Sequence, residues 1–563
     1  MHDLSGDCRF DSSVPQASCC TWDGRLDNRR DLLARIGLPA ECADGRIALE
    51  LYQRHGVDGL RELIGDWSAC IWDAPARSIV LASDYAGIRP LYFRRDGAGV
   101  AWSSSLRELV RQTGANELDE VYAASWLLRG SAPGRTPYAG IEAVPPGHAV
   151  VVTTDGVAAR AFWKLPSGQE TRYQDERDYE ARMLELFEEA VRVRTATNAP
   201  VCAELSGGLD SSSVVCMAAR LGRDLHTFSY THERNPDERY FREVERACGL
   251  EGCHLQLDQC PPIAADQAGA APGWWVPRFR ELARRMEVMG STVLLTGQFG
   301  DLVTGNTNDD SGQAAEWLAK GRAGEAAREA YRWAKAMQAP IYPILWRSVR
   351  EAWFGWTPPV GPQSAPGAIR GSAEDSVTER LRNLAANFER ERAGGGLWRQ
   401  APAGRRRLFR AVADTLQGRL LQAPEALQHV SFCHPFAHRP LVEFLLTIPA
   451  RVVVRPGAPR RLLRRAFAEL LPPPVLARKS KAAYTSTYGG ALRPLAAILL
   501  RDPSAIEIVE RGFVEPGSLR DRLKKFTQGL ECNEPQLRQL IVFEFWLRNS
   551  GREESGGRSS ETW

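Results

Sequence analysis

A chain of 563 residues exceeds what one hydrophobic core supports, and two large domains are expected. Hydrophobic residues at 44% and charged residues at 25% are ordinary for a globular protein, and a net charge of +3 gives no electrostatic ground for nucleic acid as a partner. No apolar run approaches the roughly 20 residues of a membrane span, residues 1–7 show no basic-then-apolar signal pattern, and the 12 cysteines include no C-x-x-C pair, so a cytoplasmic location with free thiols is expected. Cys248, Cys253 and Cys260 with His254 form a loose cluster whose spacing fits no standard zinc pattern.

Residues 1–165 read as an α+β sandwich. Short apolar runs at 69–72, 79–82, 91–93 and 149–152 are divided by turn signals such as Asp96-Gly97 and Pro145-Pro146-Gly147, with helical patches at 47–55 and 106–111. Residues 164–169 read as a linker. A helix is expected from about Asp175, because Tyr179, Met183, Leu186, Phe187, Ala190 and Val191 share one face at helical spacing.

The next stretch carries the chemistry. An apolar strand at 200–205 runs into Ser206-Gly207-Gly208-Leu209-Asp210-Ser211-Ser212, and a helix follows. The glycines let the backbone turn sharply, and the unpaired N–H groups opening the helix face an anion. No Lys follows the glycines, so this is not the G-x-x-x-x-G-K-[ST] loop. A strand at 226–230, a helix at 237–248 and a strand at 292–296 continue the alternation of a doubly wound parallel sheet, whose ligands bind outside the carboxyl ends of the strands. The last strand runs into Gly297-Gln298-Phe299-Gly300-Asp301 and would bring Asp301 to the same sheet edge as Asp210. Two carboxylates with phosphate oxygens and water suit Mg²⁺. Residues 312–425 read as helical, with turn residues at 358–362 and a glycine run at 394–396. Arg405, Arg406 and Arg407 beside Trp398 read as a solvated helix face, and the polar tail from 549 as disordered.

The Ser-Gly-Gly-x-Asp-Ser pattern resembles the pyrophosphate loop of ATP pyrophosphatases, which make acyl-adenylates. The first half resembles the class II glutaminase domain of asparagine synthetases, through residues 23–28, 63–68, 84–92 and 140–148. Pro435-Phe436-Ala437-His438, Arg460-Arg461-Leu462-Leu463-Arg464, Leu471-Pro472 and Arg478-Lys479-Ser480-Lys481 look like that family's C-terminal signature. The resemblance implies a degenerate class II glutaminase-like α+β sandwich over 1–165, an α/β adenine-nucleotide alpha-hydrolase-like (ATP pyrophosphatase) domain over 170–548, and a tail over 549–563. It implies ATP held by Leu205, Ser206, Gly207, Gly208, Leu209, Asp210, Ser211, Ser212, Ser229, Thr296 and Gly297, and Mg²⁺ held by Asp210 and Asp301, which count with Lys481 as the catalytic residues. Lys481 is assigned as the essential lysine, with Lys479 as the other possibility.

Departures from the family narrow the expectation. The family's nucleophile is a Cys left first in the chain after Met removal, and position 2 here is His2, with Cys8 as the nearest thiol. Its glutamine pocket reads Asn-Gly-Glu, and Asp23-Gly24-Arg25 reverses the charge that would hold an ammonium, so no glutamine hydrolysis is expected. Gln298 stands for a Glu, Phe299 for a Gly, Leu302 for a Glu and His438 for an Asp, and His438 receives no catalytic role. Family branches whose amine arrives on the substrate fit best. The expectation is a lasso-peptide macrolactam synthetase: it would adenylate an Asp or Glu side chain of a leaderless precursor peptide and close an isopeptide with the peptide's N-terminal amine, releasing AMP and pyrophosphate. A leader-removing protease and a leader-binding protein are the implied partners, with no nucleic acid and no membrane. An ammonia-dependent asparagine synthetase, a β-lactam synthetase and a silent scaffold of a maturation complex stay open as alternatives.

Overall fold

The computed structural model describes residues 5–9, 16–97, 99–130, 132–168, 170–232, 235–257, 259–265, 269–274, 276–305, 311–354, 376–393, 400–479, 485–502, 506–530 and 534–550. Lys481, Ser480, Trp398, the turn at 358–362 and the glycine run at 394–396 lie outside them.

The first nine strands are β1 (Ser5–Arg9), β2 (Cys19–Leu26), β3 (Gly65–Asp73), β4 (Ser78–Ser83), β5 (Tyr92–Asp96), β6 (Gly99–Ser103), β7 (Ile141–Ala143), β8 (His148–Val152) and β9 (Val157–Ala161). They form two antiparallel sheets, ordered β1-β6-β5-β7 and β2-β3-β4-β8-β9. Alternation along β3 decides the layering. Cys70 and Trp72, with Ile79, Leu81, Val150 and Val152, meet Phe93, Val100 and Trp102 of the other sheet. Trp67, Ala69 and Ile71 point the opposite way, toward Leu32 and Ile36 of α1 (Arg29–Ile36) and Ile47 and Leu51 of α2 (Asp44–His55). Two further helices, α3 (Leu106–Thr113) and α4 (Glu120–Arg129), start where Ser105 and Asp119 accept the N–H groups of Glu108 and Tyr122. The result is an α+β sandwich.

The second region opens with α5 (Glu176–Arg194), capped by Asp175 and buried along Tyr179, Met183, Leu186, Phe187, Ala190 and Val191. Then come β10 (Val201–Glu204), α6 (Leu209–Arg220), β11 (Leu225–Thr231), α7 (Glu238–Cys248), β12 (Gly252–Gln256), α8 (Val276–Val288), β13 (Val293–Leu295) and α9 (Gly300–Val303). A helical layer follows: α10 (Gly312–Ala319), α11 (Ala323–Met337), α12 (Ile341–Phe354), α13 (Glu379–Ala393) and α14 (Ala403–Gln417). The chain re-enters the sheet as β14 (Ser431–Cys433) and continues as α15 (Arg439–Thr447), α16 (Ala450–Val453), α17 (Arg461–Ala466) and α18 (Pro473–Ala477). It closes with α19 (Thr485–Arg501), α20 (Glu507–Glu510), α21 (Pro516–Thr527) and α22 (Glu534–Ser550).

All five strands of this sheet are parallel, in the order β12-β11-β10-β13-β14. The chain builds outward from β10 to β12, then returns to the other side of β10. The strand order therefore reverses between β10 and β13, where Val201 pairs with Val293 and Ala203 with Leu295. That reversal opens a crevice beyond the carboxyl ends of both strands.

Two expectations are corrected. Arg405 is buried and its Nη1 donates to the Leu446 carbonyl at 2.5 Å, while Arg406 donates to the Glu351 carbonyl at 2.6 Å, so this face ties helices together and is not solvated. The closing helix runs through Asn549 to Ser550, two residues into the segment read as a disordered tail.

Candidate active site

The Ser206 loop joins β10 to α6 inside that crevice. Gly207 has φ +67°, and a Cβ there would lie 2.7 Å from the Phe241 nitrogen, so the approach of α7 leaves room only for glycine. Gly208 opens α6 with no side-chain cap, leaving first-turn N–H groups to an anion. The Ser206 N–H donates to Ser211 Oγ at 3.1 Å, the two hydroxyls are 3.1 Å apart, and Ser211 Oγ donates to the Gly208 carbonyl at 3.3 Å. Leu205 and Leu209 are buried beneath this loop. Ser212 and Ser229 are fully buried, and neither hydroxyl has a hydrogen-bond partner among the described residues.

The turn after β13 presses against the loop. A Cβ at Gly297 would sit 2.6 Å from the Ser211 nitrogen, and one at Gly300 would sit 2.3 Å from Asp210 Oδ1. Thr296 is fully buried, its hydroxyl donating to His434 Nδ1 at 2.7 Å and accepting the Gln298 N–H at 3.2 Å. Burial lowers the His434 pKa to about 4, in keeping with a neutral ring whose Nε2 donates to the Leu421 carbonyl at 2.8 Å. Gln298 is half-buried beside this turn. Phe299 holds φ +72°, a left-handed backbone that explains why glycine suits the position in the resembled family.

Asp210 and Asp301 are brought together, and Arg460 joins them. Its Nη1 donates to Asp210 Oδ2 at 2.9 Å and to Asp301 Oδ1 at 2.8 Å, while Nη2 pairs with Asp210 Oδ1 and Nε donates to Thr304 Oγ1 at 2.9 Å. Two carboxylate oxygens thus converge on one nitrogen position, and a hard divalent cation fits such a pair when phosphate and water complete its shell. Burial, then Arg464, lowers the Arg460 pKa to about 9, which leaves it charged at neutral pH. Among the described residues no group of three or more His, Cys, Asp or Glu side chains could hold a metal. His254 instead lies 2.9 Å from Glu245 Oε1, and the Cys253 sulfur accepts from Arg285.

Arg478 fastens the loop from the other side. It is buried, pairs with Asp237, donates to the Gly207 carbonyl at 2.9 Å and stacks 4.2 Å above the Tyr240 ring. Lys479 follows it, exposed on a groove of about 580 Å³ that Arg239, Tyr240 and Pro474 also line. Sequence reasoning missed the roles of Arg460 and Arg478. Both stood inside the C-terminal signature, but their partners are remote in sequence, and only the fold reveals them.

The N-terminal sandwich meets the sheet through a buried ionic cluster. Arg25 donates to Asp27 Oδ1 and Asp66 Oδ2, each at 2.7 Å, and to the Cys433 sulfur at 3.6 Å. Arg194 lies 3.0 Å from Asp66 Oδ1 and 3.3 Å from Asp27 Oδ2, and His438 Nδ1 also reaches Asp27 Oδ2 at 3.3 Å. Burial alone would raise the carboxyls. Arg25 and then Arg194 hold Asp27 well below the usual range, and Arg194 and then Arg25 lower Asp66. His438 belongs to this junction.

The model of the asparagine synthase family matches residues 182–548, and that of the glutamine amidotransferase domain matches 30–163. The chain is 28% identical to asparagine synthetase (glutamine-hydrolyzing) 3 of Bacillus subtilis over 234 residues, covering 39% of this chain and 37% of that protein. It is 26% identical over 312 residues to a putative asparagine synthetase (glutamine-hydrolyzing) 2 of Methanocaldococcus jannaschii, covering 50% of this chain and 58% of that one. Each match spans well under two thirds of the relative's length. Because the synthase model covers more than half of the sequence, onto the same sheet and loops that frame the Asp210–Asp301 crevice, this chain belongs to the asparagine synthase family.

Proposed function

We propose that the protein is an ATP-dependent carbon–nitrogen ligase that activates a carboxylate as its adenylate, with release of pyrophosphate, and passes the acyl group to an amine, with release of AMP. The observation that carries this reading is the juxtaposition of the uncapped start of α6 with Asp210 and Asp301 at the switch point of a parallel sheet. The N–H groups of the Ser206 loop would hold the phosphates, and Arg478 would keep that loop in shape. Asp210 and Asp301 would hold Mg²⁺, which supplies neutralisation of phosphate charge when bound. Lys481, or Lys479, would steady the charge building on the acyl and α-phosphate oxygens.

The amine, on this reading, comes with the substrate. Arg25 puts a guanidinium where the resemblance puts an ammonium-binding Glu, and Asp27 and Asp66 fix it there. Helix α12 exposes Tyr342, Trp346, Trp353 and Phe354, with Arg350 stacked on Trp346 at 4.5 Å, a face of the kind that holds an extended peptide. The reading is a lasso-peptide cyclase, joining an Asp or Glu side chain of a precursor peptide to its N-terminal amine. A leader-removing protease and a leader-binding protein would supply its substrate in the cytoplasm. No helix of the described residues is long and apolar enough to cross a membrane.

The names of the relatives favour a second reading, asparagine formation from ammonia. The two separate in one experiment. The purified protein, ATP and Mg²⁺ are incubated with candidate precursor peptides or with aspartate and ammonia, and pyrophosphate is measured alongside product mass. Loss of one water from a peptide, with Asp210→Ala inactive and no glutamate released from glutamine, is expected. Turnover of aspartate with no peptide product overturns the cyclase reading.

A further inference from the structure

The mechanism assigns no part to Arg460, yet its side chain is buried and all three guanidinium nitrogens are hydrogen-bonded. It is 4% exposed, and its backbone sits at φ +55°, in the left-handed region that a side-chain-bearing residue rarely occupies. The turn at Arg455 and Ala458 leads into it, and α17 begins immediately after it. From there the guanidinium reaches across the crevice. Nε is anchored on Thr304, at the end of the helix that carries Asp301, and Nη1 and Nη2 cover three hydrogen bonds to the two carboxylates.

The position of Nη1 matters most. It lies within 2.9 Å of an oxygen of Asp210 and 2.8 Å of an oxygen of Asp301. That is the point on which both carboxylates converge, and the point a shared cation would need. One positive charge there already offsets half of the carboxylate charge, and a second cation beside it would meet the like charge of a guanidinium that is itself buried, although Asp301 opens to solvent. Gly300 makes room for this arrangement, since a Cβ there would lie 2.3 Å from Asp210 Oδ1.

We infer that Arg460 is a built-in placeholder for the divalent cation: it closes the Asp210–Asp301 pair in the nucleotide-free protein, so that the site takes a metal only together with the phosphates that draw the guanidinium off the carboxylates. Metal and nucleotide then bind as one unit, and free metal does not leave the empty crevice more positive. The inference rests on the nucleotide half of the proposed function and is indifferent to which amine is used; absence of peptide cyclisation would leave it intact.

The test is Mn²⁺ binding to the full-length, nucleotide-free protein, followed by the electron paramagnetic resonance signal of free Mn²⁺. Arg460→Gln is expected to bind Mn²⁺ at least about tenfold more tightly than wild type, because the cation no longer competes with a guanidinium for the oxygens of Asp210 and Asp301. Adding Asp301→Asn to that variant is expected to abolish the gain. Equal affinity in wild type and Arg460→Gln, or a gain that survives Asp301→Asn, overturns the inference. A comparison that needs no change at Arg460 serves if that variant does not fold. If the nucleotide-free wild type binds Mn²⁺ and Asp301→Asn loses that binding, the carboxylates are open with Arg460 in place, and the inference fails.

Discussion

Gly300 and Phe299 occupy neighbouring positions with opposite tolerances. An alanine at 300 would place its methyl carbon 2.3 Å from Asp210 Oδ1, inside any allowed contact, and the carboxylate must leave the line between the loop and Arg460. Gly300→Ala is therefore expected to lower kcat/KM for ATP–pyrophosphate exchange at least about 100-fold, roughly 2.7 kcal/mol of transition-state stabilisation. The thermal midpoint should stay within a few degrees. Retained exchange would show that the carboxylate need not hold that place. At Phe299 two effects compete. Glycine would remove the strain of φ +72°, about 1–2 kcal/mol, but would also strip out a side chain only 7% exposed, a loss of about 3–5 kcal/mol. Packing wins, and Phe299→Gly is expected to destabilise by about 2 kcal/mol in urea titration; a stabilised variant would mean that strain dominates. The Ser206 loop was legible in the sequence because strand, glycines, carboxylate and helix follow one another within a dozen residues. The Arg460 bridge was not, because its partners lie 250 and 159 positions away and no local pattern encodes them.

At the scale of elements, the alternation of strands and helices announced a parallel sheet, and the periodic stripe on α5 announced its buried face. The order of the strands was not readable. It is a matter of which side of β10 the returning chain joins, and β13 is separated from β10 by some ninety residues whose own pattern is indifferent to that choice. The burial of Arg405 escaped for a related reason. Three consecutive arginines look solvated until the carbonyls at the end of α15 are placed beside one of them. Arg478 ties elements in the same non-local way, linking the exit of α18 to the start of α7 and the Ser206 loop. Arg478→Met removes the buried guanidinium that pairs with Asp237 and is expected to cost about 3 kcal/mol. Adding Asp237→Asn, which has the same shape without the charge, should restore part of that stability, since the buried carboxylate charge is then gone as well. If Arg478 also positions the phosphate loop, the double variant should remain weak for ATP, with KM raised about tenfold or more while the urea midpoint partly recovers. Recovery of both together would reduce Arg478 to a structural strut.

Across the whole molecule, the sandwich and the parallel sheet are joined by the cluster of Arg25, Arg194, Asp27, Asp66 and His438, which gives their union a dependence on pH. The Asp27 and Asp66 carboxyls are lowered in the folded protein from an ordinary 3.8, so the unfolded chain takes up protons first as the pH falls. Their contribution is complete above that value and is lost progressively below it. Asp84, which burial and then Asp66 raise to about 7, opposes this between about 4 and 7, but below 3.8 it is protonated in both states and drops out. The acid limb therefore includes Asp27 and Asp66, together with carboxyls elsewhere such as Glu281, which Arg284 and Arg285 hold at about 2 and which cancel when two variants are compared. Arg25→Met removes one of their two guanidinium partners. With the Arg25 side chain 28% exposed, water screens part of the loss, and a destabilisation of about 2–3 kcal/mol is expected near neutral pH. The same variant raises both carboxyl pKa values toward their unfolded value, so its disadvantage should shrink as the pH falls below 4 and the wild type surrenders what the variant already lacks. Urea midpoints of both proteins between pH 3 and 7 measure the gap. A gap that stays constant across that range would mean that Arg25 acts by packing against Cys433 and its neighbours, and that the charge of the cluster does not hold the two regions together.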